Sequence, residues 1–308
     1  MNKILVTGSG GLLGSHICDL LVSRGYDVRA MVHYNIDNIR HLKDKVEIFK
    51  ADIRFGDECL EACRGVDAII HTAACINVDR SRRYPALFYE TNVKGTMNML
   101  EAARMNDAKL VHMSSCEVIG NIGEGRAAED YPVKQPLSPY ASSKYAAEAY
   151  CYSYQATYDL QVNVARGFNL CGPRQKSGGK GAVIPIFINK ILDGDPPLIY
   201  GTGIQTRDYI DARDVSRGLL KILESKYKRE IFHLCSGVEV SINELTDKIV
   251  SLSNTGLQPI HIDRRPGELM RSVGDNSKAL KLLDWKPTIS LEQSLIDTIL
   301  HEKAKRLA

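Results

Sequence analysis

Three glycines at three-residue spacing, Gly8, Gly11 and Gly14, follow directly on the short apolar run Lys3–Thr7, and this junction constrains the fold more than any other stretch. Leu12–Arg24 has helical periodicity and stops at Gly25, so the order is strand, glycine turn, helix. Glycine is needed there because backbone N–H groups must approach a pyrophosphate at the helix N-terminus and the helix must pack closely on its strand. Leu12 and Leu13, the first helical residues, belong with the glycines to the expected cofactor cradle. The spacing is G-x-x-G-x-x-G rather than G-x-G-x-x-G, and plain glycine connectors can share it. Its weight comes from its place at the head of a strand–helix alternation.

That alternation continues with strands at Asp27–His33, Val46–Lys50, Ala68–Ala74 and Leu110–Met113, and helices at Thr91–Arg104 and Tyr140–Tyr154. The helix at Thr91 should turn Val93, Met97, Leu100 and Ala103 inward. The pattern predicts an α/β fold, a Rossmann-type doubly wound parallel sheet with a smaller C-terminal substrate-binding domain. Residues 1–165 are expected to form the NAD(P)-binding domain. Residues 166–308, richer in loops and short helices, should form mainly the substrate region, with some segments returning to the sheet. At the end of the second strand, where an acid would grip the ribose of NAD and an arginine the phosphate of NADP, stand His33, Tyr34 and Asn35. The cofactor is therefore NAD or NADP, with NAD the first choice. Asp52, followed by Ile53, is placed either to hydrogen-bond an adenine or to cap a helix. Ala73 and Ala74 are small enough for a cofactor to lie flat against the backbone. Asn92 should support the active-site backbone or a water, or serve as an ordinary cap.

The stretch from Val111 to Glu148 gathers the reactive side chains. Its strand delivers Ser114, Ser115, Cys116 and Glu117 at the carboxyl end, and a Gly/Pro-rich loop leads to a helix bearing Tyr140 and Lys144. Those two residues are four apart, so they share a helix face. A nearby ammonium favours phenolate, which predicts a Tyr140 pKa below its usual value of about 10 and a phenol usable as a base. Ser115 would then hydrogen-bond the substrate oxygen whose proton Tyr140 removes.

Composition excludes other classes. A formal charge of +3, from 40 basic and 37 acidic residues, leaves no nucleic-acid footprint. The eight cysteines are scattered without metal-ligand spacing, which predicts reduced core thiols in a cytoplasmic protein and no metal site. No apolar run is long enough to span a membrane, and no secretion leader is present.

The ordered set TGSGGLLGSH, ADI, HTAAC, ETNVKGTMNMLEAA, SSCEVIG, SPYASSK, ARGFNLCGPR, TRDYIDARDV and RRPGE resembles the extended short-chain dehydrogenase/reductase superfamily, in its sugar-nucleotide epimerase/dehydratase branch. The resemblance runs from residue 4 to about residue 287. It implies Ser115, Tyr140 and Lys144 as the catalytic triad and a nucleotide-sugar substrate. It also implies that Asn169, Arg207 and Arg265 bind the nucleotide diphosphate and its sugar, arginine forks suiting phosphate oxygens. Without it, Arg207 would read as a partner of Asp208 or Asp211, and Arg265 as a solvated loop charge. Members often dimerise through the helices that here are Thr91–Arg104 and Tyr140–Tyr154, so a homodimer is expected. Simple 4-epimerases of the branch usually lack an acid at Glu117, whereas dehydratases and glucuronate-nucleotide decarboxylases carry one. The Ser-Cys-Glu order is similar to that of the tunicamycin-pathway UDP-N-acetylglucosamine 5,6-dehydratase. These features imply a sugar-nucleotide dehydratase with Cys116 and Glu117 joining the triad. A 4-epimerase or reductase needs the triad alone, and a non-catalytic NAD(P)-sensing protein needs only the fold.

Overall fold

Short, apolar strands buried on both faces need helices on both sides, and that is how the chain is arranged. The computed structural model describes residues 2–133, 135–176, 182–264 and 268–307. Its main sheet has seven parallel strands: β1 (Lys3–Thr7), β2 (Asp27–Val32), β3 (Glu47–Lys50), β4 (Ala68–His71), β5 (Lys109–Ser115), β6 (Val162–Gly167) and Ile231–Leu234. From one edge the order is Ile231–Leu234, β6, β5, β4, β1, β2, β3. Strand order reverses between β1 and β4, which opens a crevice at their carboxyl ends.

One face of the sheet is covered by α1 (Leu12–Ser23) and the helix Ala212–Glu224, where Ile17, Leu21, Val215 and Leu219 pack with Ile4, Val6 and Val111. The other face carries α2 (Gly56–Cys63), α5 (Gly95–Met105) and α6 (Pro139–Tyr158), through Cys59, Met99, Leu100 and Cys151. Two short helices, α3 (Val78–Arg83) and α4 (Pro85–Phe88), lie between β4 and α5. Beyond residue 165 the chain returns to the sheet with Ile231–Leu234, and Trp285 is buried in the first core. A separate core of Ile184, Phe187, Tyr209, Leu245, Ile249 and Leu295 builds the smaller lobe. All eight cysteines are free, and only Cys75 is not buried.

Several boundaries differ from the sequence expectation for local reasons. Strand β4 stops at His71 because the N–H groups of Thr72 and Ala73 turn to the Thr7 hydroxyl, each at 3.1 Å. The helix expected from Thr91 begins instead with a π-helical turn, Tyr89–Lys94, ahead of α5. Val93, Leu100 and Ala103 are buried as expected, while Met99 is fully buried and Met97 is not. Helix α6 starts at Pro139, with the Ser138 hydroxyl accepting from Ala141 N–H at 3.1 Å, and ends at Asp159 in the left-handed region.

Candidate active site

The glycine turn is built for close approach. Gly8 has φ +72°, and a Cβ there would lie 2.9 Å from Ala73 Cα. Gly11 N–H donates to Gly8 C=O at 2.9 Å, tightening the turn before α1. The α1 N-terminus has no side-chain cap and no acid in its first turn, so its dipole and N–H groups remain available to an anion. These features fit a dinucleotide pyrophosphate. Nearby, His33 Nε2 lies 3.2 Å from Asp52, whose carboxylate is also held by Arg54 at 2.5 to 3.1 Å. Asp52 is thus fixed by His33 and Arg54, the latter a partner the sequence reading did not weigh. Ala73 backs Gly8, and Asn92 clamps the adjoining chain: its amide accepts from Cys75 N–H at 2.8 Å and donates to Cys75 C=O at 2.9 Å and Ser143 Oγ at 2.9 Å. Of the roles expected for Asn92, the geometry shows support of the backbone.

Strand β5 and helix α6 converge on the reactive group. Ser115 ends β5 and its hydroxyl accepts from Glu117 N–H at 3.2 Å, starting the 3₁₀ turn Cys116–Val118. The same hydroxyl lies against the Tyr140 phenol, whose ring meets Phe88 edge-on at 6.2 Å. Burial pushes the phenol well above its ordinary range, with the Ser115 hydrogen bond acting downward. The expectation that Lys144 lowers Tyr140 is therefore not met here. Lys144 instead donates to Met113 C=O at 2.6 Å, and burial pulls its pKa down to about 8. Cys116 is buried, pushed up to about 12 by burial, and accepts from Ser272 Oγ at 3.6 Å. Burial also raises the Glu117 carboxyl, against the downward pull of Arg207 and Arg82.

Beyond β6, Asn169 N–H and Nδ2 both donate to Asp208 C=O, at 2.9 and 3.2 Å. Arg207 pairs with neither Asp208 nor Asp211. It donates to Thr206 C=O at 2.8 Å, approaches Glu268 at 4.0 Å and directs its charge at Glu117. Asp208 is occupied by Ser236, Gly237 and Gly274, and Asp211 by Arg213 and Ser294. Arg265 lies outside the described residues. The sequence reading missed Arg82, which no local pattern distinguishes from its arginine neighbours, and Glu148. The latter was signalled by its position one helical turn after Lys144. Among the described residues no His/Cys/Asp/Glu group could hold a metal, and no helix is long and apolar enough to cross a membrane.

A doubly wound sheet whose switch-point crevice holds a glycine cradle and a Ser/Tyr/Lys group defines a dinucleotide-dependent enzyme of the short-chain dehydrogenase/reductase type. Residues 4–235 match the NAD dependent epimerase/dehydratase family, and the chain belongs to it. Its cofactor is NAD or NADP. The chain is 38% identical over 95% of its length to a putative UDP-glucose 4-epimerase of Methanocaldococcus jannaschii, 95% of which is covered. A crystal structure of UDP-glucose 4-epimerase with UDP-glucose from Thermotoga maritima superposes with a TM-score of 0.94 at 29% identity, covering 99% of this chain and 100% of the other. A dTDP-glucose 4,6-dehydratase from Streptomyces venezuelae, crystallised with NAD, superposes with a TM-score of 0.93 at 31% identity, covering 99% and 98%.

Proposed function

We propose that this enzyme is a sugar-nucleotide dehydratase that removes water across C5 and C6 of an NDP-hexose such as UDP-N-acetylglucosamine. The observation that carries this reading is the placement of Glu117, its carboxyl raised by burial, beside Ser115, Cys116 and Tyr140. A carboxyl above its ordinary range is a stronger base than a free one and holds the proton it takes more firmly. Bound NAD(P) supplies the acceptor for the C4 hydrogen and later returns it, so no net oxidation results. Gly8, Gly11, Leu12, Leu13 and Gly14 hold its pyrophosphate, while His33, Asp52, Ile53, Ala73, Ala74 and Asn92 form the rest of its bed.

In this reading Tyr140 takes the O4 proton and Ser115 orients O4. Lys144 tunes Tyr140 from one helical turn away and would bind the nicotinamide ribose of the cofactor. A C4 ketone acidifies the C5 hydrogen. Glu117 removes that proton, and Cys116 or Glu117 protonates the departing C6 oxygen. Asn169, Arg207 and Arg265 bind the nucleotide diphosphate and sugar, and residues 166–308 supply most of that wall. A homodimer forms through α5 and α6, where Tyr145 and Tyr150 are exposed.

A 4-epimerase is the second reading, favoured by the 4-epimerase names of the archaeal relative and the Thermotoga structure. Mass spectrometry after incubation with UDP-, GDP- and dTDP-hexoses separates the two. Loss of one water supports dehydration, after which borohydride uptake indicates a 4-keto product and resistance the 5,6-ene. Unchanged mass with altered sugar retention means epimerisation. Glu117→Gln should abolish water loss while cofactor binding persists, and wild-type elimination in that variant would refute the assignment.

A further inference from the structure

Lys144 is 4% exposed, and an ammonium so deeply seated must either be neutralised by a nearby anion or lose its proton. The groups facing it come from four elements. Helix α6 presents Tyr140, Glu148 and Cys151; β5 presents the Met113 carbonyl and His112; β4 presents His71; and β6 contributes Arg166 behind Glu148. Most of these carry no charge. His71 and His112 stand side by side, ring centroids 5.4 Å apart, and both are held neutral by burial and by Lys144 itself. His112 has no hydrogen-bond partner on either ring nitrogen. The Cys151 thiol and Tyr140 phenol are pushed up by burial and stay protonated.

Glu148 is the exception. It lies one turn along α6 from Lys144 and is 0% exposed. Arg166 grips it with two parallel bonds, Nε to Oε1 at 3.0 Å and Nη2 to Oε2 at 2.8 Å. The bidentate geometry fixes the plane of the carboxylate. Arg166 satisfies that carboxylate but leaves its own Nη1 unpartnered, so the pair is not shaped for stability alone.

We propose that Glu148, clamped by Arg166, is the internal counter-ion that keeps Lys144 cationic, which makes Glu148 a positioning residue for the Tyr140–Lys144 pair. This rests on the reading of those two residues as the reacting groups. Glu148 acts on Lys144 upward, against burial. Arg166 acts on the same ammonium with the opposite sign, through Glu148, whose charge it draws on.

Two variants should therefore move Lys144 in opposite directions, which a general loosening of the core would not do. The measurement is the titration of the Lys144 ammonium followed by NMR on the full-length protein, ¹⁵N-labelled at lysine. Glu148→Gln should lower its midpoint by about one pH unit or more, and Arg166→Gln should raise it. Glu148→Asp should restore the wild-type value. If Glu148→Gln alone does not fold, the double variant E148Q/R166Q removes the Arg166 charge together with that of Glu148 and should keep the downward shift, because Glu148 is the charge that acts on Lys144. An unmoved midpoint in E148Q and E148Q/R166Q, or shifts of one sign in E148Q and R166Q, would overturn the assignment. The alkaline limb of turnover with a sugar nucleotide should follow the NMR midpoint. A limb that stays fixed while the midpoint moves upholds the counter-ion and refutes the catalytic reading of Lys144.

Discussion

Gly14→Ala tests whether the start of α1 is the cofactor cradle. A Cβ at residue 14 would sit 2.7 Å from the Gly8 carbonyl carbon and 2.8 Å from Ser9 Cα, with the Gly8 oxygen nearer still. Ordinary contact begins at 3.4 Å, so α1 and the glycine turn must separate by about 0.7 Å or more, and every atom in the way is backbone. Overpacking of this kind costs about 1–3 kcal/mol. Because the strain falls on the turn that faces the pyrophosphate, affinity for NAD(P) should drop by about 5- to 150-fold, each 1.4 kcal/mol being tenfold. The melting temperature should fall by about 2–4 °C per kcal/mol. Gly56→Ala is the control: its Cβ would meet only Asn98 Oδ1, at 3.7 Å, and the change should leave affinity untouched. Calorimetric titration with NAD and NADP gives the answer. Wild-type affinity in Gly14→Ala would refute the cradle.

Two further outcomes follow from charge and capping. Burial pulls Lys144 from 10.5 to about 8, so between those values the unfolded chain holds more protons than the folded one. The cost of seating Lys144 is therefore full below about pH 8 and fades as pH rises toward 10.5; Lys144→Met should stabilise the protein at pH 7 by up to about 3 kcal/mol, with a smaller gain above pH 8. Chemical denaturation across pH reads this, and a gain independent of pH would refute it. Ser241→Ala removes one half of a capping box in which Ser241 Oγ accepts from Glu244 N–H at 3.1 Å and Glu244 accepts from Ser241 N–H at 2.7 Å. It should cost about 1 kcal/mol with cofactor affinity unchanged, since that helix packs in the smaller lobe.

What was legible in the sequence was local. The glycine turn and the apolar strands declare themselves within a few residues, because turn chemistry is written in adjacent side chains. The Tyr140–Lys144 spacing was legible for the same reason, but the pKa logic drawn from it was not. Spacing shows that two groups share a helix face, whereas the proton affinity of Tyr140 depends on how deeply the sheet and Phe88 bury it. Met97 was misplaced although Val93, Leu100 and Ala103 are buried as expected, because helical spacing does not show that Met99 takes the position deepest against the sheet. Arg207 could not be resolved from its neighbours, since its freedom from Asp208 arises from Ser236 and Gly274, far along the chain.

The Asn92 amide joins parts of the protein that are distant in sequence. It ties the chain after β4 to Ser143, and Ser143 Oγ in turn donates to Tyr140 C=O at 2.7 Å. Lys144 adds a tie from α6 to β5. The chain after β4, the end of β5 and helix α6 are thus joined by side-chain bonds. The wall that carries Asn169 and Arg207 is bonded separately, through Asp208 and Thr206. One scaffold can accordingly keep its proton-handling side tied together while the facing side is recut for a different sugar.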